Sequence, residues 1–103
     1  MSYAVFFSPE AKADLLELYD YIAERSGEDR ALGYVERIER WVHELESFPE
    51  RGTRRDDIRP GLRVVGFERR VTMAFKLMEE SVIILRILYA GRDLEKTLSQ
   101  LEP

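Results

Sequence analysis

The sequence predicts an α+β fold in which an N-terminal strand precedes an antiparallel helix hairpin packed on a small, mainly antiparallel sheet, in the order β-α-α-β-β-β. Three observations predict it. A β-branched and aromatic run opens the chain, two stretches repeat apolar residues every three or four positions, and three strand-like runs fill the second half. With 103 residues, 45% of them apolar, we expect one domain covering 1–103.

The first strand is expected at residues 3–7 and the first helix at residues 9–25. A Ser-Pro-Glu sequence at positions 8–10 marks the helix start, because it combines a hydroxyl cap, a proline at the first helical position and an acid near the positive helix end. Gly27 marks its end. The apolar face of this helix consists of Leu15, Leu18, Tyr19 and Ile22.

The second helix is expected to begin at Glu28 and to continue to Phe48, where Pro49 ends it. Its apolar face consists of Ala31, Val35, Ile38, Val42 and Leu45, widened by Tyr34, Trp41 and Phe48. The short link between the two helices makes them an antiparallel hairpin. Two helices cannot bury both apolar stripes on each other, so the second half of the chain must cover them.

The second half begins with a polar loop at residues 49–61, which contains two prolines and two glycines. Strands are then expected at 62–67, 69–77 and 82–89, with residues 78–81 as the turn of an antiparallel hairpin. The third of these strands is almost wholly apolar, as expected of a central strand covered on both faces. Leucines at 94, 98 and 101 predict a last turn of helix.

Composition excludes several classes of function. The chain has no cysteine and one histidine, so we expect no disulfide, no thiolate or zinc site, and no cofactor. No apolar run reaches the roughly 18 residues of a membrane span, and the first 25 residues lack the apolar block of a signal peptide, so we expect a soluble, cytoplasmic protein.

Charge differs between the two halves of the chain. Residues 1–50 carry 12 acidic and 5 basic side chains, a net of −7, whereas residues 51–103 carry 8 acidic and 11 basic side chains, a net of +3. Such a dipolar surface can attract an acidic partner or a phosphate backbone to one face, and ordinary solvated charge is an equal alternative.

Five segments, in this order, resemble the RelE/ParE toxin superfamily over nearly the whole chain, and the ParE-like branch most closely. They are Ser8-Pro9-Glu10-Ala11, Leu18-Tyr19-Asp20-Tyr21-Ile22, Phe48-Pro49-Glu50-Arg51-Gly52, Arg59-Pro60-Gly61-Leu62-Arg63, and Ile84-Leu85-Arg86-Ile87 with Gly91-Arg92-Asp93. The resemblance implies the toxin of a type II toxin-antitoxin system on a plasmid or chromosome, and a ParD-like antitoxin in a hetero-oligomer. It implies DNA gyrase or ribosome-bound mRNA as the target.

The two targets require different chemistry. An mRNA-cleaving RelE-like toxin needs a base, an acid and cations on the phosphate. The candidates here are Glu68 as base, Arg86 on the phosphate and Tyr89 as acid, but Val65 stands where the resemblance calls for a second basic residue. A gyrase inhibitor needs only a binding surface, so the incomplete set favours gyrase. The ribonuclease is the alternative, an inactive toxin-fold remnant is a third reading, and direct nucleic-acid binding stays open.

Contacts with the target or antitoxin are predicted at Arg59, Arg63, Arg70, Arg86, Arg92, Tyr19 and Tyr34. A structural role competes at several of these positions. Arg86 stands in an apolar strand, so its guanidinium must reach the sheet edge or meet a carboxylate. The basic loop also contains Asp56 and Asp57, which favours a self-neutralised, solvated segment.

Overall fold

The computed structural model describes residues 2–89 and 96–97. Within them the chain forms two helices and five strands, an α+β fold that confirms the predicted class. The elements are β1 (Ala4–Phe7), α1 (Pro9–Ser26), α2 (Glu28–His43), β2 (Thr53–Arg54), β3 (Leu62–Phe67), β4 (Val71–Leu77) and β5 (Ser81–Tyr89), with a single 3₁₀ turn at Glu44–Glu46 after α2.

The five strands form one mixed sheet in the order β1-β5-β4-β3-β2. β1 runs parallel to β5, with Val5 opposite Val82, and the other neighbours are antiparallel. The apolar run that the sequence predicts as a central strand is β5, which lies between β1 and β4. β4 pairs with this strand from Val82 to Tyr89 and β1 pairs with it from Ser81 to Ile84, and its side chains are buried or half-buried along its length. Its continuous hydrophobicity therefore fits a strand inside the sheet.

The helix hairpin packs on one face of the sheet and makes the main core there. Alternation along β4 places Met73 and Phe75 against Leu18 of α1 and Ile38 of α2, all of them buried. The opposite face carries a smaller cluster around Leu62 and Ala74, which the loop before β3 partly covers. None of the helices within residues 2–89 and 96–97 is long and apolar enough to cross a membrane.

The start of α1 is tied to the sheet by its cap. The Ser8 hydroxyl accepts a hydrogen bond from the Ala11 N–H at 3.0 Å and donates one to the Leu85 carbonyl at 2.9 Å. The predicted cap is therefore confirmed, and it also satisfies a carbonyl of β5 just past Ile84, where β1 stops pairing.

Apart from bounds that shift by a single residue, the structure differs from the sequence prediction in three places. α2 ends at His43 rather than Phe48, because the 3₁₀ turn redirects the chain and the Glu46 carbonyl accepts a hydrogen bond from the Tyr3 N–H at 2.8 Å. β2 lies inside the predicted loop. β4 begins at 71 rather than 69, because residues 68–70 form a turn. The predicted helical turn around Leu94, Leu98 and Leu101 falls outside the described residues.

Candidate functional site

A cavity of about 740 Å³ opens between the second half of α1, the first half of α2 and the turn that joins β3 to β4. We call it the cationic groove. Its apolar and aromatic lining consists of Leu18, Tyr21, Ile22, Tyr34, Val71 and Tyr89, and its charged lining of Arg25, Arg30, Arg37, Arg69, Arg70 and Asp29. The lining thus combines five basic side chains and one acid with apolar and aromatic side chains.

The β3–β4 turn places the arginines at one wall of the groove. Glu68 and Arg69 both adopt left-handed backbone conformations, with φ of 47° and 67°. That conformation costs a non-glycine residue roughly 1–2 kcal/mol, so the surrounding structure must hold the turn in place. The conformation of this turn places Arg69 and Arg70 at the wall of the cavity that they line.

An ion pair between Arg37 and Glu68 supplies that restraint. Arg37 donates two parallel hydrogen bonds to the carboxylate, from Nε to Oε2 at 2.8 Å and from Nη2 to Oε1 at 3.0 Å. We call this pair the clamp. Its hydrogen bonds lower the pKa of Glu68 below its usual range and raise that of Arg37. Because Arg37 belongs to α2, the clamp fixes the turn to the helix hairpin.

Tyr34 contributes a polar atom inside the groove. Its ring packs edge to face on Phe67, with centroids 5.8 Å apart, and its hydroxyl is buried with no hydrogen-bond partner among the described residues. Burial raises the pKa of this hydroxyl above its ordinary value, with the Glu68 charge adding to the effect. A buried hydroxyl without a partner is costly, so a ligand atom that bonds it gains more than it would at the surface.

The groove arginines divide into two groups. Arg37 is held in the clamp, and Arg25 lies 3.8 Å above the Tyr21 ring and donates to the Tyr21 carbonyl at 3.3 Å. By contrast, Arg30, Arg69 and Arg70 make no salt bridge within the part of the chain that the structure describes. With Asp29 as the acid of the lining, the five arginines give the groove a net positive charge.

The three candidate catalytic residues are each hydrogen-bonded to a different partner. Arg86 donates from Nε and Nη2 to the two oxygens of Asp14, at 2.7 and 2.8 Å, and the same carboxylate accepts the Ile87 N–H at 2.9 Å. This hydrogen-bonded pair raises the pKa of Arg86. Glu68 is held in the clamp, and the Tyr89 hydroxyl donates to the Glu17 carbonyl at 3.4 Å. Each candidate therefore has a structural partner of its own.

The predicted contacts in the loop lie apart from the groove. Arg54 pairs with Asp56 and Arg55 with Asp57, at 3.2 and 2.9 Å, so this loop is self-neutralised as expected. The hydrogen bond from the Gly61 N–H lowers the pKa of Asp56, with Arg54 adding to the effect, and the hydrogen bonds from Arg55 lower the pKa of Asp57. Arg59 lies in the same loop, and Arg63 on β3 donates to the Arg51 carbonyl at 3.4 Å.

The remaining predicted contacts lie in different places. Tyr34 and Arg70 line the cationic groove together with Tyr89, whereas Tyr19 lines a second, smaller cavity of about 410 Å³ on the other side of α1. We call this second cavity the apolar cleft; it is lined by Phe7, Lys12, Leu15, Leu16, Tyr19, Val35 and Glu39. Arg92 falls outside the described residues.

Sequence reasoning missed Arg30 and Arg37 as members of the groove. Arg37 meets Glu68 across 31 positions, and no local pattern marks a contact of that range. Within residues 2–89 and 96–97 no group of three or more histidine, cysteine or acidic side chains is placed to share a metal ion. His43 is exposed and lies 3.2 Å from Glu46.

Known proteins resemble this chain in sequence and in structure. The model of the family described as ParE toxin of type II toxin-antitoxin system, parDE, matches residues 5–94. Toxin ParE3 of Caulobacter vibrioides is 34% identical over 84% of this chain and 86% of its own. Toxin ParE1 of Mycobacterium tuberculosis is 29% identical over 95% of this chain and all of its own.

Two solved structures share the fold. A chain from the chromosomal ParDE toxin-antitoxin system of P. aeruginosa matches with a TM-score of 0.75 and 27% identity, over 87% of this chain and 98% of its own. A chain from the RelBE2 toxin-antitoxin complex of Mycobacterium tuberculosis matches with a TM-score of 0.61 and 20% identity, over 88% and 94%, and supports the fold alone. With a family model that spans residues 5–94, the chain belongs to the ParE toxin family of type II toxin-antitoxin systems.

Proposed function

We propose that this toxin acts in the cytoplasm by binding a protein, that DNA gyrase is its target, and that a cognate ParD-like antitoxin holds it inactive in a hetero-oligomer. The observation that carries the proposal is the pairing of Arg86 with Asp14. The Nε–Nη2 edge of this arginine is used inside the fold, where it donates to both oxygens of Asp14. The cation best placed in sequence to hold a phosphate is thus committed to a structural ion pair.

The other two nuclease candidates support the same proposal. A general base works best when its pKa lies near the operating pH, and the clamp moves the pKa of Glu68 in the opposite direction. Glu68 lies in the β3–β4 turn bonded to α2, whereas Arg86 is bonded to α1. A phosphodiester cleavage needs base, acid and cation within hydrogen-bonding reach of one substrate, and these residues are held by separate partners.

Two observations support an antitoxin as the partner that holds this toxin inactive: a similar solved structure and the exposed apolar surface of the helix hairpin. The P. aeruginosa match comes from a system described as ParDE, in which toxin and antitoxin are a pair. In this chain, Leu16 and Leu32 on the helix hairpin leave 68% and 52% of their surface exposed. Exposed apolar side chains beside a cavity are typical of a surface that a partner covers.

Induction in a bacterial host tests the proposal. We expect expression of the toxin alone to cause filamentation and to induce an SOS reporter, and co-expression of the antitoxin from the adjacent reading frame to suppress both. The Tyr89→Phe variant, which removes only the hydroxyl assigned as a nuclease acid, should remain toxic. Prompt translation arrest with cut transcripts, lost in Tyr89→Phe, would instead establish the ribonuclease alternative.

A further inference from the structure

The cationic groove combines a cluster of arginines with a set of tyrosines, and the proposed function gives this combination no role. We infer that the groove binds a segment of single-stranded nucleic acid, with phosphates on Arg30, Arg69 and Arg70 and a base against the tyrosines of the lining. This inference goes beyond the proposed function and does not depend on it, because the binding can be measured with the chain alone.

Positive charge is concentrated in the groove although the chain as a whole is acidic. The net charge of the chain is −4, whereas the lining contains five arginines and one acid, Asp29. Arg30, Arg69 and Arg70 line the groove without a salt bridge inside the described part of the chain. Arginine presents a planar fork that binds a phosphate through two parallel hydrogen bonds. The groove therefore offers a chain of phosphates cations that the fold has not already paired.

Three tyrosines give the groove surfaces on which bases can stack. Tyr21, Tyr34 and Tyr89 line it, and the ring centroids of Tyr21 and Tyr89 lie 5.0 Å apart. The Arg25 guanidinium lies 3.8 Å from the centroid of the Tyr21 ring, and a guanidinium plane is itself a stacking surface for a base. Aromatic rings beside a basic surface are the usual means by which proteins bind single strands. A nucleic acid uses both parts of this lining, phosphate on cation and base on ring.

Tyr34 gives the groove a directional contact. Its ring is held edge to face on Phe67, and its hydroxyl is buried without a partner among the described residues. The hydroxyl can donate a hydrogen bond to a phosphate oxygen or to a base carbonyl. Binding then removes the cost of an isolated buried hydroxyl, so Tyr34 contributes to affinity and to the position of the strand.

The form of the groove favours a single strand over a duplex. It is a cavity of about 740 Å³ bounded by two helices and a hairpin turn, and its tyrosines belong to the lining. A base reaches such rings only when it is unstacked from its neighbours, which a single strand allows and a duplex opposes.

The clamp makes Arg37 and Glu68 positioning residues. The β3–β4 turn holds Arg69 in a left-handed conformation, and the two hydrogen bonds from Arg37 fix that turn to α2 before any ligand arrives. Preorganisation of this kind reduces the entropy lost on binding. Neither clamp residue needs to touch the strand to affect its affinity.

The first test measures fluorescence anisotropy of a dye-labelled oligothymidine of about 12 nucleotides, a length within the site sizes of single-strand binding domains. We expect the purified chain to bind it with an affinity that falls as salt rises. Arg69→Ala/Arg70→Ala should raise Kd about tenfold or more and lower the slope of log Kd against log salt by about 1.4, or about 0.7 for each lost phosphate contact. The matched control Lys12→Ala/Arg40→Ala removes the same charge outside the lining and should leave both values close to wild type.

The second test separates stacking from charge. Tyr89→Leu keeps an apolar side chain but removes the ring, so it should raise Kd about tenfold, whereas Tyr89→Phe keeps the ring and should bind like wild type. An abasic oligomer with the same number of phosphates should bind the wild-type chain more weakly by a similar factor. Thermal unfolding of each variant checks that the fold is retained.

The third test separates positioning from simple charge. Glu68→Ala removes an acid and frees Arg37, so charge alone predicts tighter binding of the oligothymidine. The clamp predicts the reverse, a higher Kd, because the turn is released. The swapped pair Arg37→Glu/Glu68→Arg should recover much of the wild-type affinity. Tighter binding by Glu68→Ala would remove the positioning role.

Three results would overturn the inference. One is a wild-type chain that does not bind the oligothymidine at low salt. Another is an equal loss of binding in the groove variant and in the matched control, which would make the binding nonspecific. The last is an abasic oligomer or a polyglutamate of equal charge that binds as tightly as the oligothymidine, which would make the groove a site for acidic polymers, peptides included. A matching oligouridine shows whether the preferred strand is DNA or RNA. None of these measurements contains gyrase or antitoxin, so failure of the inference is distinguishable from failure of the proposed function.

Discussion

At the scale of single residues, the ion pair of Asp14 and Arg86 joins the first helix to the last strand. Only 5% of the Asp14 side chain and 19% of the Arg86 side chain are exposed. The carboxylate is fully used, because it also accepts the Ile87 N–H at 2.9 Å. A buried ion pair is tolerated when hydrogen bonds compensate for the loss of solvent, and the Asp14 carboxylate accepts three of them.

Removing one partner of this pair should be strongly destabilising. We expect Asp14→Ala to lower the free energy of unfolding by about 3–5 kcal/mol, because it leaves a largely buried guanidinium without its counter-charge. Urea denaturation followed by circular dichroism measures this. Asp20→Ala, on the exposed face of the same helix, serves as the control. Equal urea midpoints for Asp14→Ala and wild type would show that the pair contributes nothing.

The clamp predicts a pH dependence. Because Arg37 lowers the pKa of Glu68 in the folded state, the stability it contributes is present above the ordinary glutamate pKa of about 4.3 and is lost as the pH falls through the lowered value. The difference in urea midpoint between wild type and Glu68→Gln should therefore be largest near neutral pH and should shrink in acid. A difference that stays constant across this range would contradict the assignment.

At the scale of elements, the short strand β2 depends on one glycine. Gly52 has φ of 78°, and a Cβ built there would lie 2.5 Å from the Val64 carbonyl oxygen on β3. The close approach of the two backbones lets Thr53 pair with Val64. Both the backbone conformation and the lack of a side chain are required at this position.

Gly52→Ala should therefore destabilise the protein by more than about 1 kcal/mol, since both the φ angle and the contact oppose a side chain. Gly66→Ala is a matched control, because a Cβ at that position meets nothing within 4 Å. It should change stability by no more than about 0.5 kcal/mol. The midpoints of thermal unfolding for the two variants compare them directly, and similar losses would rule out the explanation from backbone contact.

Elements with a local chemical signal were predictable from the sequence, and those set by distant contacts were not. The Ser8-Pro9-Glu10 start of α1 and the alternation in β4 come from nearby residues, and the structure confirms both. The end of α2 depends on a bond between Tyr3 and Glu46, and β2 on the approach of Gly52 to Val64. The two members of each pair are far apart in sequence, so no local pattern predicts their contact.

At the scale of the whole molecule, the segment that is most basic in sequence is not the place where unpaired positive charge lies in the fold. The segment from Arg51 to Arg59 is the most basic part of the sequence, but three of its four arginines form ion pairs. Arg51 pairs with Glu44, Arg54 with Asp56 and Arg55 with Asp57. Unpaired positive charge collects instead where α2 meets the β3–β4 turn. The sequence predicted Tyr34 and Arg70 as contact residues, and the fold brings them to one groove.

The rest of the groove could not be predicted, because it depends on how the helix hairpin sits on the sheet. Arg30 carries no signal in sequence beyond its charge. The sequence did not predict which residue pairs with Arg86, because Asp14 lies 72 positions away. The family was inferred from resemblance and not from the chemistry of single residues. The match of the ParE toxin model to residues 5–94 confirms that family.

We propose that this toxin acts by binding DNA gyrase and not by cutting RNA. The measurement that tests it most directly incubates the purified chain with gyrase and supercoiled plasmid, and quantifies trapped, cleaved DNA with and without the antitoxin. We expect dose-dependent trapping of cleaved DNA that the antitoxin reverses. Unaffected gyrase at toxin concentrations that cut ribosome-bound mRNA in a parallel translation reaction would contradict it.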